Sequence, residues 1–455
     1  MKGPLLRWLR LGAALAGLGF SAAIGAAEAS PGFVLSEQGS GRATAYPPTN
    51  KIVTRDGRTH VTWLDAADDT FWVRIRTLDH QTGRWSEPVT VAQAQDNHGG
   101  AALAIDAEGY LHLAYYPHHD AMRYRRSLRP HDASAWSAEE RFGYNLTYPV
   151  LMVTPGGGLL LTARRSYDSH EAFAPPVASL PWETELWSRA PGTSRWERVG
   201  PLLRARFPGY AQFAEAFWWG EGGRTLHLAC RIYETDYRGD RTVHTTVGYL
   251  MSHDEGRTWT RRDGSAVALP ASADDLDVVA RGRSAESTVL VGGGVVADGN
   301  DRPLVLYSTV NTEGAKTWLA HPSAEGPWQA RDLSNFLDLR EPGWELNLPG
   351  AITRSADGTI TIAVTLQRLG PGESWWAHPS NEVARLWSRD GEHFEVAISA
   401  PADPTRPRWL PNLERDTGHH SVSGTVGIIF TDGEAGSTND DMVSNRVIWW
   451  RDAAP

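Results

Sequence analysis

The sequence predicts an all-β fold: a seven-bladed β-propeller of four-stranded antiparallel blades, closed by an N-terminal strand. The first observation is a turn signal followed by a strand-like run that recurs along the chain. It appears as Asp56-Gly57 before RTHVTWLD, Glu108-Gly109 before YLHLAYY, Gly156-Gly157-Gly158 before LLLTARR and Gly222-Gly223 before RTLHLACRIY. It continues with Asp298-Gly299 before RPLVLYST, Asp357-Gly358 before TITIAVTLQ and Gly424 before TVGIIFTD. The second is an aromatic residue after a further strand and turn in each unit: Trp85, Trp136, Trp196, Trp259, Trp328 and Phe394, with the seventh unit reaching RVIWWRD. The third is composition. With 45 glycines and 20 tryptophans in 455 residues, the chain suits many short strands and tight turns.

Each element follows from local chemistry. Alternating β-branched and aromatic residues bounded by Gly and Asp are strand signals. A propeller stacks such sheets face to face around an axis and leaves few free edges. The last unit lacks an outer strand, which GFVLSEQ near the N-terminus is expected to supply. Ser252 to Trp259, SHDEGRTW, fits the Asp-box turn pattern, and SRDGEHF from Ser388 is a decayed version. In such turns the Asp accepts backbone N–H bonds and the Trp packs between strands, so Asp254 is structural.

The ends of the chain have other work. Lys2, Arg7 and Arg10 precede an apolar run from Leu11 to about Ala27, and Ala27-Glu28-Ala29 offers a cleavage site. Residues 1–29 therefore read as an export signal and 30–455 as the propeller, in a secreted or periplasmic protein. One cysteine, Cys230, allows no internal disulfide and no cysteine-rich zinc site. The formal charge is −10, and losing the signal removes three positive charges and one negative. That balance excludes a general nucleic-acid or membrane binder and leaves room for an anionic polysaccharide in a local basic patch. The sequence sets no oligomeric state.

Two neighbouring units put chemistry on one rim. In DNHGGAALAIDAEGYLHLAYYPHHDAMRYRRS, His98 enters one strand of a hairpin and His118 leaves the other. Adjacent strands lie about 4.8 Å apart, so both imidazoles can reach one ligand. In TYPVLMVTPGGGLLLTARRS, Tyr148 and Arg164 hold the matching places. Tyr210 opens the fourth unit in the same way. Asn97, His119 and Arg165 stand beside these as substrate-binding candidates. His419 and His420 are expected to cap a turn, and Glu345 and Asn347 to line the rim.

His, Tyr and Arg without a metal motif point to proton transfer beside an anion, with no cofactor and no catalytic metal. The matching chemistry is β-elimination in a uronic-acid polysaccharide. Arg pairs with the C6 carboxylate and stabilises the charge that develops when the C5 proton leaves. His or Tyr removes that proton, and the other protonates the departing O4. Two alternatives stay open: a propeller glycoside hydrolase, such as a rhamnosidase or sialidase-like enzyme, and a non-catalytic glycan-binding propeller.

These two segments resemble the BNR-repeat seven-bladed propellers that include the ulvan lyases of polysaccharide lyase families 24 and 25. The resemblance is clearest over Asp96–Arg165 and rests on D-x-H, the second His, T-Y-P and the strand-end Arg. It implies that His98, His118 and Tyr148 act as acid and base, that Arg164 neutralises the uronate, and that Tyr210 lines the cleft. Family members often have Asn where this chain has Gly99. Some carry a structural zinc held by cysteine and histidines, which a lone Cys230 does not favour.

Overall fold

The computed structural model describes residues 32–451, without 168–179, 238–241, 284–287, 324–325, 338–342, 371–372, 400–404, 421 and 423–425. The expected export signal and the turn at Gly424 lie outside the described residues. Within them the regular structure is strands and two 3-10 turns. No helix among these residues is long and apolar enough to cross a membrane.

The repeated turn signals fall at hairpins. Asp56 and Gly57, both in the left-handed region at φ 47° and 75°, join Ile52–Arg55 to Arg58–Ala67. This is the backbone that a two-residue hairpin demands. Asp106–Gly109 turns Ala102–Ile105 into Leu111–Tyr115. The chain then returns along His118–Arg129.

Among the described residues the strands form five hydrogen-bonded sheets rather than seven separate ones. Two continuities merge neighbours. Glu140–Val153 is a long strand whose first half pairs with His118–Arg129 and whose second half pairs with Leu159–Arg165. Phe33–Gly39, the predicted closing strand, pairs antiparallel with Asn445–Trp450 along its length and touches Arg58–Ala67 at Gly39 and Asp65. The extra length at Glu140 and Gly39 carries a ladder from one repeat to the next, which the turn signals alone do not reveal.

The core lies between the faces of successive repeats. Val73, Leu103 and Leu111 pack in one cluster, and Tyr124, Leu151 and Leu161 in the next. Leu160, Leu186, Leu228 and Leu250 fill a third, with Trp259 among them. The Ser252–Trp259 turn closes as its residues dictate. The Thr258 amide donates to Asp254 Oδ1 at 2.8 Å, and Trp259 Nε1 donates to Gly256 O at 3.0 Å. Trp259 is only 1% exposed. Trp259→Ala is expected to lower the free energy of unfolding by about 3–5 kcal/mol, the cost of an aromatic-sized cavity, read by denaturant titration.

The feature that positions a site is a shared opening. Thr147 faces Arg164, Gln212 faces Tyr233, Val289 faces Val310, and Glu345 faces Gln367. Each pair closes the same end of its hairpin, and residues at or beside these pairs line one cavity.

Candidate active site

The cavity encloses about 1160 Å³. That exceeds the usual small-ligand pocket and leaves room for more than one sugar ring. His98, Tyr148 and Tyr210 line it, as do Arg42, Tyr46 and Arg231.

His98 sits on a tight turn. Asp96 Oδ1 accepts from the His98 backbone amide at 2.7 Å and from His98 Nδ1 at 3.2 Å. The other oxygen, Oδ2, accepts from His118 Nδ1 at 2.5 Å. The two imidazoles stack with centroids 4.0 Å apart, His98 on the cavity and His118 behind it. Burial works against ionisation of Asp96, yet the hydrogen bonds from His118 and His98 outweigh it and hold the carboxyl well below its usual range. An ionised Asp96 fixes the proton of His98 on Nδ1 and leaves Nε2 as an acceptor. Arg42 Nη1 donates to that Nε2. Burial, with lesser contributions from His118 and Arg42, pushes His98 down to about 3, so the ring is neutral at neutral pH.

Tyr148 reaches the cavity through an irregularity. The ladder between its strand and Leu159–Arg165 slips between Thr147 and Val150. Tyr148 itself adopts φ +61°, which a side chain as large as tyrosine rarely takes. His119 at +62° and Tyr116 at +92° share that region nearby. Bulges and strained residues of this kind re-aim side chains and collect at functional sites. The Tyr148 ring meets Tyr46 edge-on at 4.5 Å and lies 6.0 Å from His98. Burial and the neighbouring Tyr148 push the Tyr46 phenol up, against a smaller opposing effect of Arg42.

Arg164 lies beneath these rings. It is 2% exposed, with its guanidinium 4.6 Å from the Tyr148 ring centre, 5.0 Å from Trp182 and 5.9 Å from Tyr210. Its Nη2 lies 3.4 Å from His119 Nε2, and its Nε has no hydrogen-bond partner. Buried cations are normally paired with an acid. The acid sensed nearby is Glu215, whose carboxyl burial pushes up and which accepts instead from Thr184.

The structure thus gathers His98, His118, His119, Tyr148, Arg164 and Tyr210, and aims Asn97 and Arg165 away from the cavity. His119 faces inward, to Ser166 at 2.5 Å and to Arg164. Arg165 points to the opposite side of its strand from Arg164 and pairs with Glu185 at 2.5 Å. Asn97 is buried, and its side chain donates to Thr438 O at 3.3 Å. Neither Asn97 nor Arg165 lines the cavity, because strand alternation and the turn at Asp96 aim them away. His419 donates to Thr154 O at 2.8 Å, and His420 is buried beside Glu414. Glu345 lines the cavity, while Asn347 is buried against Gln367.

Sequence reasoning missed Arg42, Tyr46 and the role of Asp96. It could have found Asp96 in its own D-x-H motif. Arg42 and Tyr46 lie in an irregular stretch without periodicity, and Arg42 meets His98 from 56 residues away.

Cys230 is buried among Leu228, Ile232 and Leu250. Among the described residues, the His, Cys, Asp and Glu side chains close enough to share one ion are Asp96, His98 and His118. That set contains no cysteine, so the described residues do not fit a cysteine–histidine zinc site.

A family model described as a BNR repeat-containing family member matches residues 58–336. The chain is similar to the ulvan lyase of polysaccharide lyase family 25 from Pseudoalteromonas sp. (strain PLSV), 22% identical over 66% of this chain. That match spans 64% of the relative's length, under two thirds of it. It is also similar to the ulvan lyase of Alteromonas sp. (strain LOR), 21% identical over 78% of each chain. A solved family 25 ulvan lyase, bound to -[GlcA(1-4)Rha3S]-, shares the fold with a TM-score of 0.67. The two are 14% identical, over 92% of this chain and 95% of that one. The family model covers more than half of the sequence, and the chain belongs to the BNR repeat-containing family.

Proposed function

We propose that this protein is an exported seven-bladed β-propeller lyase that cleaves ulvan-like uronic-acid polysaccharide by β-elimination. The observation that carries the reading is a neutral His98 and a Tyr148 facing one large cavity, above a buried Arg164 that makes no ion pair among the described residues. The named relatives act as its context: two are ulvan lyases, and one solved structure holds a glucuronate–rhamnose fragment. The ring reading is supported by core clusters that join each repeat to the next, and the last to the first through Leu35, Val61, Ile429 and Val447. Pairing of Phe33–Gly39 with Asn445–Trp450 supports closure by the N-terminal strand. Residues 1–29 would direct export and 30–455 would form the catalytic propeller.

In this mechanism the uronate carboxylate approaches the Tyr148–Tyr210 end of the cavity, where Arg164 supplies positive charge. The positive charge of Arg164, with the hydrogen-bonded Glu215 as its acidic neighbour, stabilises the enolate-like state as the C5 proton leaves. His98 and Tyr148 share the proton transfers, one taking the C5 proton and the other returning a proton to O4. His118 and Asp96 hold His98 in its tautomer. The products are an unsaturated uronate and a new reducing end. Release of that unsaturated product from ulvan tests the reading, whereas new reducing ends alone would mark a hydrolase.

The pH dependence follows from His98. A histidine held near its ordinary value would protonate, and lose its Nε2 lone pair, as pH falls through about 6.5. Here burial lowers that step to about 3. His98 therefore contributes no acid limb to kcat/KM between about pH 7 and 5. An acid limb centred near 6.5 that disappears in His98→Gln would contradict this.

A further inference from the structure

The turn that carries His98 is held from behind by a distant part of the chain. Thr438 O accepts from Asn97 Nδ2 at 3.3 Å, and Asn439 O accepts from the Asn97 backbone amide at 3.2 Å. Asn97 and Thr438 are 341 residues apart in sequence. Asn97 is 2% exposed, and a buried donor that loses its acceptor is costly. The residues on either side of Asn97 hold both imidazoles. Asp96 accepts from His98 and His118, and Gln95 Oε1 accepts from the His118 backbone amide at 2.9 Å. Whatever fixes Asn97 therefore fixes the whole turn.

The segment behind Asn97 lies between the strands Ile428–Asp432 and Asn445–Trp450, outside any ladder. Its shape comes from Asp441. Oδ2 accepts from the Ser437 amide at 2.5 Å, the Ser437 hydroxyl at 2.7 Å and the Thr438 amide at 3.1 Å. Oδ1 accepts from the Thr438 hydroxyl at 2.5 Å. The bonds from Thr438 and Ser437 hold the Asp441 carboxyl well below its usual range. Asn445 ties the ends of the same segment to the N-terminal stretch. Its Nδ2 donates to Glu434 O at 2.7 Å and to Ser40 O at 3.1 Å. Ser40 opens the stretch that brings Arg42 to His98 Nε2. His98 is thus backed from two sides by parts of the chain that meet near Asn445.

We infer that Asp441 and Asn97 are positioning residues for His98: Asp441 shapes the 437–441 segment, that segment holds Asn97, and Asn97 sets the turn that presents the imidazole to the cavity. The effect on turnover rests on the lyase reading, while the clamp rests on the hydrogen bonds alone. A reacting group misplaced by about 1 Å can cost about 10²-fold in rate. Tyr148 and Arg164 stand on a different ladder, Glu140–Val153 with Leu159–Arg165. Loosening the clamp therefore moves the imidazole and leaves the groups that face the uronate in place.

The test is Asp441→Ala in the full chain, read by amide hydrogen exchange and by kinetics on ulvan. Amides of residues 96–99 are expected to exchange about tenfold faster, with those of Ala102–Ile105 unchanged. The expected kcat is about tenfold lower, with KM within about twofold of the parent. Asp441→Asn keeps an oxygen for the Ser437 and Thr438 amides and should recover most of kcat. Asn97→Ala should lose as much as Asp441→Ala, and the double variant no more than either alone. Losses that multiply to about a hundredfold would make the two residues independent and overturn the relay. Unchanged exchange at 96–99 overturns it, and so does faster exchange with kcat unchanged. A fall in kcat that only tracks the folded fraction in thermal unfolding makes Asp441 structural and also overturns it. Should Asp441→Ala fail to fold, Thr438→Val, which removes the hydroxyl bond to Asp441, gives the same readings with smaller changes. If the parent yields no product from ulvan, the lyase reading fails by itself. Exchange at 96–99 then decides the clamp: faster exchange in Asp441→Ala sustains it, and unchanged exchange overturns it.

Discussion

Tyr148→Phe is expected to lower kcat for uronate elimination by about 10²–10⁴-fold, the range of a lost general acid or base. Glycan binding should stay within a few-fold of wild type. The argument is local. The substitution removes one oxygen and keeps the ring, so the edge-on contact with Tyr46 and the cation beneath it survive. The unusual backbone at Tyr148 is also kept, since Phe and Tyr meet the same steric limits there. A loss in kcat with KM unchanged would place the phenol in the transition state. A rise in KM alone would make Tyr148 a binding wall.

Arg164→Ala is expected to cost about 10²–10³ in kcat/KM, the scale of removing a preorganised charge from a dry site. The guanidinium is buried behind Tyr148, Trp182 and Tyr210 and sees the cavity across those rings. At such distances in a low-dielectric wall its charge still acts on a carboxylate or an enolate. Arg164→Lys should recover part of the loss, because the charge returns without the planar fork. Thermal unfolding of both variants separates this from a packing defect. Activity lost in proportion to unfolding would remove Arg164 from the electrostatics of the reaction.

Much of this site was legible because hairpins enforce proximity. His98 and His118 flank one turn, and the ladder between their strands brings the rings to 4.0 Å. Tyr148 and Arg164 were legible for the same reason, as Thr147 faces Arg164 across the next ladder. Alternation also explains which candidates lie off the cavity. Arg165 follows Arg164 and so points to the other face, where Glu185 holds it. Asn97 stands between two residues of a turn and faces the 438–439 segment. What the sequence hid came from loops without a period. Arg42 and Tyr46 are brought over the site by backbone anchors, such as Asn412 donating to Tyr46 O at 3.2 Å, which no local pattern encodes. Merging of the repeats into five sheets was hidden too. A long strand such as Glu140–Val153 reads as two signals until its single ladder is seen.

The central claim is elimination at the cavity of His98 and Tyr148, and one measurement tests it most directly. The protein is incubated with ulvan, and the products are followed by ultraviolet absorbance and by mass. The account predicts growth of the conjugated unsaturated-uronate band, with fragments ending in a residue one water lighter than the hydrolytic product, and loss of both in Tyr148→Phe. Fragments that carry the full water at every new end, with no such band, would contradict it.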